Sequence, residues 1–198
     1  MEVKAIDFGG EDKNVSTVLR EYAEHVHELN HRWWYDKDGK KLQLNFGERM
    51  QLILSEIAEA MEGYRKDLDD DHLPWYKSIH VELADGVIRL LDCAGAYEWA
   101  LDYGKVDFLI PPEETNVAAR LLNLSDFVIR IAHNRLDRDP RTWLVDNLAY
   151  HFIDQSFEIA ISTGCHDFWQ VVYEKLCYNQ TRADHQYSNR EQPGGKKF

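Results

Sequence analysis

The fold of this chain is decided by the stretch IHVELADGVIRLLDCA, residues 79–94, which has the composition of a buried helix. Its apolar side chains go most of the way round a helical projection, a pattern typical of a helix at a bundle centre or a subunit interface. The charged side chains recur at steps of three and four residues, so they form one narrow polar stripe along that helix. The members of this polar stripe are Glu82, Asp85, Arg89 and Asp92.

Apolar residues at three- and four-residue steps continue on both sides of this stretch, whereas the period of two that strands require is weak. Glycine and proline are few and clustered, and they separate the periodic segments without leaving a linker between domains. We therefore expect an all-α helical bundle that forms a single domain over residues 1–198. The predicted helices cover residues 14–34, 45–67, 75–103, 114–136, 141–163 and 166–184.

Composition limits the partners of the protein. The 198 residues include 23 lysines and arginines against 35 aspartates and glutamates, a formal net charge of −12. That excess repels phosphodiester backbones and anionic lipids, so we expect neither a nucleic acid nor a membrane as partner. The chain has no signal-peptide-like stretch and no long apolar run, which predicts a cytoplasmic protein. Its three cysteines include no Cys-x-x-Cys pair, so neither a disulfide framework nor a zinc cluster is expected.

The apolar helix over residues 75–103 also bears on assembly. Because it needs more cover than a thin bundle provides, we expect the chain to form a homodimer or a homotetramer.

Carboxylates are spaced on two consecutive predicted helices as a metal site would require. Glu56 and Glu59 lie three residues apart, and Glu82 and Asp85 repeat that spacing after 22 intervening residues. Two antiparallel helices that present such pairs can surround a hard cation with oxygen ligands, and Mg²⁺ prefers this donor set. A Glu-x-x-Glu pair on a helix is more commonly a solvated face. Here, however, the second pair lies on a predicted helix whose other residues are mostly apolar, as in a buried helix.

Three short sequence motifs resemble those of a known protein family. The words SEIAEAME at 55–62 and VELAD at 81–85 match the Glu-x-x-Glu and Glu-x-x-Asp signature of the MazG-like, all-α nucleoside triphosphate pyrophosphohydrolases. Both words are especially similar to those of phage and bacterial members. Near the C-terminus, EKLCYNQTR at 174–182 resembles the Lys-x-x-x-Asn-x-x-Arg word that these proteins carry on their last helix. The resemblance covers residues 45–103 and 166–187.

The resemblance implies cleavage of a nucleoside triphosphate, often a deoxynucleotide, to the monophosphate and pyrophosphate. It implies that Mg²⁺, with Mn²⁺ as a substitute, draws the substrate into an acidic protein and activates the attacking water. Glu59 is the expected residue to orient or deprotonate that water. The implied metal ligands are Glu56, Glu59, Glu82 and Asp85, and the implied phosphate ligands, on one helical face, are Lys175, Asn179 and Arg182.

The chain departs from the family pattern in two places. Many relatives carry a further glutamate three residues before the position of Glu56, where this chain has Ile53; Glu62 is a candidate substitute. Residues 105–165 contain two predicted helices without a counterpart in the minimal family core. They are expected to cap the pocket, to enlarge an oligomer interface, or to complete the bundle within one subunit.

Two readings from other classes compete with this one. The segment from His27 through Glu28 to His31 is a literal His-Glu-x-x-His, the zinc-hydrolase motif when it lies on one helix. No strand-rich section accompanies it, and no third ligand is evident. The other alternative is a non-catalytic helical interaction protein whose acidic faces are only soluble surface.

Overall fold

A computed structural model describes residues 2–9, 14–111, 115–136 and 142–190. Within these residues the all-α prediction is confirmed, since they form helices and no strand. The helices of the described residues include no candidate for a membrane-spanning segment. Each of the six predicted helices is present, and a short seventh follows them. Their bounds are α1 Val15–Leu29, α2 Phe46–Lys66, α3 Ser78–Tyr97, α4 Val117–Leu136, α5 Thr142–Ser162, α6 Phe168–Thr181 and α7 Tyr187–Arg190.

Polar side chains fix where several helices begin. The Asn14 side chain accepts a hydrogen bond from the backbone N–H of Ser16 at the start of α1, and Asn45 does the same for Gly47 at the start of α2. Asp167 caps α6 in the same way. Because these side chains pair with N–H groups that have no partner within the helix, they stabilise each first turn.

Two helices, α1 and α3, end five or more residues before their predicted ends. α3 stops at Tyr97 rather than at residue 103, because Glu98 adopts the left-handed conformation with φ of 56°. Trp99 and Leu101, which follow this turn, are buried although they lie in a non-helical segment. Because their apolar spacing continues that of the helix, the sequence predicts a longer α3. α1 likewise ends at Leu29, and a 3₁₀ helix covers His31–Trp33.

α3 is the central helix of the bundle. It packs against α1, α2, α5 and α6, and its apolar residues lie in one continuous core with theirs. The apolar cover that we expected from an oligomer therefore comes from the same chain, which removes the reason for expecting one.

The segment 105–165, which has no counterpart in the family core, contributes directly to this bundle. α4 packs against α2 and α5, and α5 packs against α3. Phe127 of α4 and Phe152 of α5 are fully buried in the shared core. Of the three roles considered for this segment, the described part of it performs the third, since it completes the bundle within one subunit.

The two glycines of α3 predict opposite effects of an added methyl group. At Gly95 a Cβ atom would lie 2.4 Å from the carbonyl oxygen of Ala23, so α1 and α3 must separate to admit it. At Gly86 the nearest atom would be 3.5 Å away, which is ordinary contact. We expect Gly95→Ala to cost about 1–3 kcal/mol of unfolding free energy and Gly86→Ala to gain up to about 1 kcal/mol from helix propensity. Urea unfolding measures both; equal effects would contradict the close approach of α1 to α3.

Candidate metal centre and adjoining cleft

Three of the four predicted metal ligands converge between α2 and α3. One carboxylate oxygen each from Glu56, Glu59 and Glu82 lies within 4.8 Å of the others. Glu56 is buried, Glu82 is half-buried and Glu59 is exposed, so the cluster opens to solvent on one side. Among the described residues this is the one group of at least three His, Cys, Asp or Glu side chains whose ligand atoms come so close. We call it the carboxylate cluster.

Burial and mutual repulsion make this cluster costly to ionise without a cation. Burial raises the pKa of Glu56 to about 7, although the neighbouring Arg89 acts in the opposite direction. Burial, and then the negative charge of Asp85, raises the pKa of Glu82 to about 8. A divalent cation would relieve both effects, and a donor set made of carboxylate oxygens suits Mg²⁺ or Mn²⁺. The residues present therefore fit the metal that the resemblance implies.

Asp85, the fourth predicted ligand, is held beside the carboxylate cluster by residues of α6. Its Oδ2 lies 3.1 Å from Nζ of Lys175, and its Oδ1 accepts a hydrogen bond of 2.8 Å from Nδ2 of Asn179. Lys175 is almost completely buried. Burial alone would lower the pKa of Lys175, but the charges of Asp85 and Glu82 raise it above its usual value. Two of the three predicted phosphate ligands thus contact a carboxylate of the site.

The remaining residues named for the site lie in three different settings. Arg182, the third predicted phosphate ligand, forms two hydrogen bonds with the carboxylate of Asp184, at 3.0 and 2.9 Å. Glu62, whose side chain is 42 % exposed, pairs with Arg65 and Lys66 on its own helix and is not a member of the carboxylate cluster. Ile53, where relatives carry a further glutamate, is completely buried in the core.

Arg89 belongs to the site, although it was not among the predicted site residues. Its Nε donates a hydrogen bond of 2.7 Å to Oε1 of Glu56, which gives this buried carboxylate a counter-charge. The signal was present in the sequence, since Arg89 lies one turn after Asp85 in the polar stripe of α3.

A cleft adjoins the carboxylate cluster and shares Asp85 and Arg89 with it. The cleft encloses about 670 Å³ of space that includes open solvent, between α2, α3 and α6. It presents three arginines, of which Arg49 is buried and Arg182 half-buried. The residues that line it are Asn30, Trp33, Arg49, Leu52, Asp85, Ile88, Arg89, Asp92, Cys93, Asn179, Arg182 and His185.

The His-Glu-x-x-His motif is not carried on one helix. His27 lies on α1, where its Nδ1 is 2.9 Å from Oδ1 of Asp92, whereas His31 lies beyond the helix end. The ring of His31 stacks on Tyr35 with their centroids 4.1 Å apart. The one-helix arrangement that places both imidazoles of such a motif on zinc is therefore not formed here.

The raised pKa values predict how stability depends on pH. Because the folded-state pKa values of Glu56 and Glu82, about 7 and 8, exceed the usual 4.5, the folded protein binds more protons between these limits. Without a cation, the free energy of unfolding should therefore fall as pH rises from about 4.5 to about 8. A bound cation replaces those protons, so stabilisation by Mg²⁺ should increase from pH 6 to pH 8.5. Thermal unfolding with and without Mg²⁺ measures this, and a Tm increment that is independent of pH would contradict it.

Comparison with known proteins does not assign this chain to a family. No protein-family model, curated protein or solved structure matches the chain. The function is therefore inferred from the chemistry of the site.

Proposed function

We propose that this protein is a Mg²⁺-dependent nucleoside triphosphate pyrophosphohydrolase, which cleaves a (d)NTP to the (d)NMP and pyrophosphate. The observation that carries the proposal is the convergence of Glu56, Glu59 and Glu82 from two helices within 4.8 Å. The same convergence argues against an interaction protein whose acidic faces are only soluble surface, since three carboxylates brought this close repel one another unless a cation or protons are bound.

The carboxylate cluster would hold the metal, with Asp85 beside it as a further ligand. When bound there, Mg²⁺ supplies the positive charge that polarises the α-phosphorus and lowers the pKa of the attacking water. This local charge also explains how a chain with a net charge of −12 attracts a polyphosphate.

The side chains have separate tasks in the proposed reaction. Glu59, the most exposed member of the cluster, orients the water and accepts its proton as the water oxygen bonds to the α-phosphorus. The bond between that phosphorus and the bridging oxygen breaks, and pyrophosphate leaves. Arg89 and Arg182 line the cleft beside the cluster and can receive phosphate oxygens. Lys175 and Asn179 hold Asp85 in place.

We also propose a cytoplasmic homodimer or homotetramer. Leu122 and Ile129 support self-association, because they lie seven residues apart on one face of α4 and more than half of each is exposed. Sedimentation of the purified chain measures its mass; a monomer at all concentrations would refute this part.

The decisive experiment is incubation with mixed dNTPs and Mg²⁺, with pyrophosphate and orthophosphate assayed separately. We expect one pyrophosphate for each monophosphate formed, and no activity in EDTA. Release of orthophosphate, survival of activity in EDTA, or a requirement for zinc and a peptide would each refute the proposal. A panel of bases and sugars then identifies the preferred substrate.

A further inference from the structure

Two buried polar atoms of the cleft residues lack a hydrogen-bond partner, and they have opposite polarity. They are Nε of Arg49, a donor, and Oδ1 of Asn179, an acceptor. Leaving such a group unpaired and shielded from water costs about 1–3 kcal/mol for each atom. Both therefore indicate a place where a ligand supplies the missing partner.

Arg49 is a buried arginine that forms no direct ion pair in the described part of the chain, although the charge of Asp92 is close enough to interact with it. It is 7 % exposed, its Nη2 donates a hydrogen bond to the carbonyl oxygen of Trp33, and its guanidinium lies 4.6 Å from the ring centroid of Trp34. These contacts fix the guanidinium plane and leave Nε–H unused. An arginine held in this way, with its buried Nε–H unpaired, is suited to donate to an oxygen acceptor on the ligand.

Asn179 has its amide donor committed and its acceptor unused. Because Nδ2 donates to Asp85, the orientation of the amide is fixed and Oδ1 remains without a partner. An ionised polyphosphate offers only acceptors, so it cannot pair with this oxygen. The group that does so must carry an O–H or N–H.

We propose that the cleft binds the nucleoside half of the substrate, with Asn179 accepting a hydrogen bond from a sugar hydroxyl and Arg49 donating one to a keto oxygen of the base. This inference rests on the proposed function and names the parts of the substrate that each residue recognises. Only a ligand with both donors and acceptors satisfies the two buried atoms, and a nucleoside has both.

The positions along α2 agree with this assignment. Arg49 and Glu56 lie seven residues apart, which places them on one face of the helix with an axial separation of about 10 Å. A distance of this size is longer than that between neighbouring phosphates. It is comparable to the distance from a phosphate bound at the carboxylate cluster to the base of the same nucleotide. Trp33 also lines this part of the cleft and gives a base an aromatic neighbour.

The test compares two probes in the presence of Mg²⁺: inorganic tripolyphosphate and a non-hydrolysable α,β-imido deoxynucleoside triphosphate with a keto base. In Arg49→Gln we expect affinity for the nucleotide to fall about 10-fold or more, while tripolyphosphate binds as before. Arg65→Gln is the matched control on the same helix, because Arg65 is exposed and pairs only with Glu62 among the described residues. It should leave both affinities unchanged.

Two changes to the ligand test the same inference in the unaltered protein. Removing the base, as in deoxyribose 5′-triphosphate, should weaken binding about 10-fold or more relative to the matched dNTP. Removing the 3′-hydroxyl should weaken it in the wild type but not in Asn179→Ala.

Several outcomes would overturn the inference. Equal loss of both probes in Arg49→Gln would place a phosphate at Arg49, and no loss of either would exclude this residue from the site. In both cases the wild-type protein still binds the nucleotide in the presence of Mg²⁺ and releases pyrophosphate, so the proposed function survives. Failure of the proposed function is different, because then neither probe binds in a Mg²⁺-dependent manner.

Discussion

Pyrophosphate release should fall by about 10²–10³-fold or more in Glu82→Gln, while the protein remains folded. Glu82 supplies one of the three oxygens of the carboxylate cluster, and an amide neither neutralises a cation as well nor binds it as tightly. The same change should not destabilise the metal-free protein. Since burial raises the pKa of Glu82 to about 8, this side chain is largely protonated at neutral pH, and glutamine resembles that neutral form.

The Glu82→Gln prediction has two readouts and a matched control. The rate of pyrophosphate formation reports catalysis, and the increase in Tm on addition of Mg²⁺ reports the metal itself. We expect the wild type to gain about 2.7 kcal/mol at a Mg²⁺ concentration 100 times the Kd, and the variant to gain little. Glu62→Gln is the control, since the Glu62 side chain lies outside the carboxylate cluster, is 42 % exposed and pairs with Arg65. Full activity in Glu82→Gln, or loss of activity in Glu62→Gln as well, would contradict the assigned site.

The largest loss of stability is expected in Lys175→Met, at about 3–5 kcal/mol. Methionine keeps most of the buried apolar stem but removes the cation, so Asp85 is left without its ion pair close to Glu82 and Glu56. Asp85 must then either remain charged in a poorly solvated place or take up a proton. Both cost free energy, and chemical denaturation in EDTA measures the loss.

A second substitution separates the ion pair from simple packing. Adding Asp85→Asn to Lys175→Met removes both charges, so most of the lost stability should return. Lys77→Met is the comparison at the surface, where Lys77 pairs with Asp67 and Asp69 in solvent. That change should leave the unfolding midpoint nearly unchanged. If the double variant is no more stable than Lys175→Met alone, the loss comes from packing and the ion pair contributes little.

The helices could be predicted because their signal is local. Apolar residues three and four apart form one face whatever the rest of the chain does, and caps such as Asn45 act on the adjacent turn. The end of α3 could not be predicted in this way. Trp99 and Leu101 continue the apolar spacing of the helix, yet both are buried after the backbone has turned at Glu98. Burial of both side chains by other elements is a tertiary effect.

Assembly stays a prediction, but the argument for it from the apolar character of α3 does not hold, for a related cause. The sequence shows that α3 is too apolar to face water, but it does not show which surface covers it. In the structure the cover comes from α1, α2, α5 and α6 of the same chain. The segment 105–165 supplies α4 and α5, so the extra length serves the core.

For the site, the sequence by itself determined which carboxylates share a helical face. The pairs Glu56 and Glu59 on α2, and Glu82 and Asp85 on α3, depend only on spacings of three residues. Only the tertiary structure decided what they contact. Asn179 reaches Asp85 across 94 residues, and Arg89 reaches Glu56 across 33. Spacing fixes direction within one helix, whereas ion pairs, burial and the resulting pKa shifts depend on how separate helices pack.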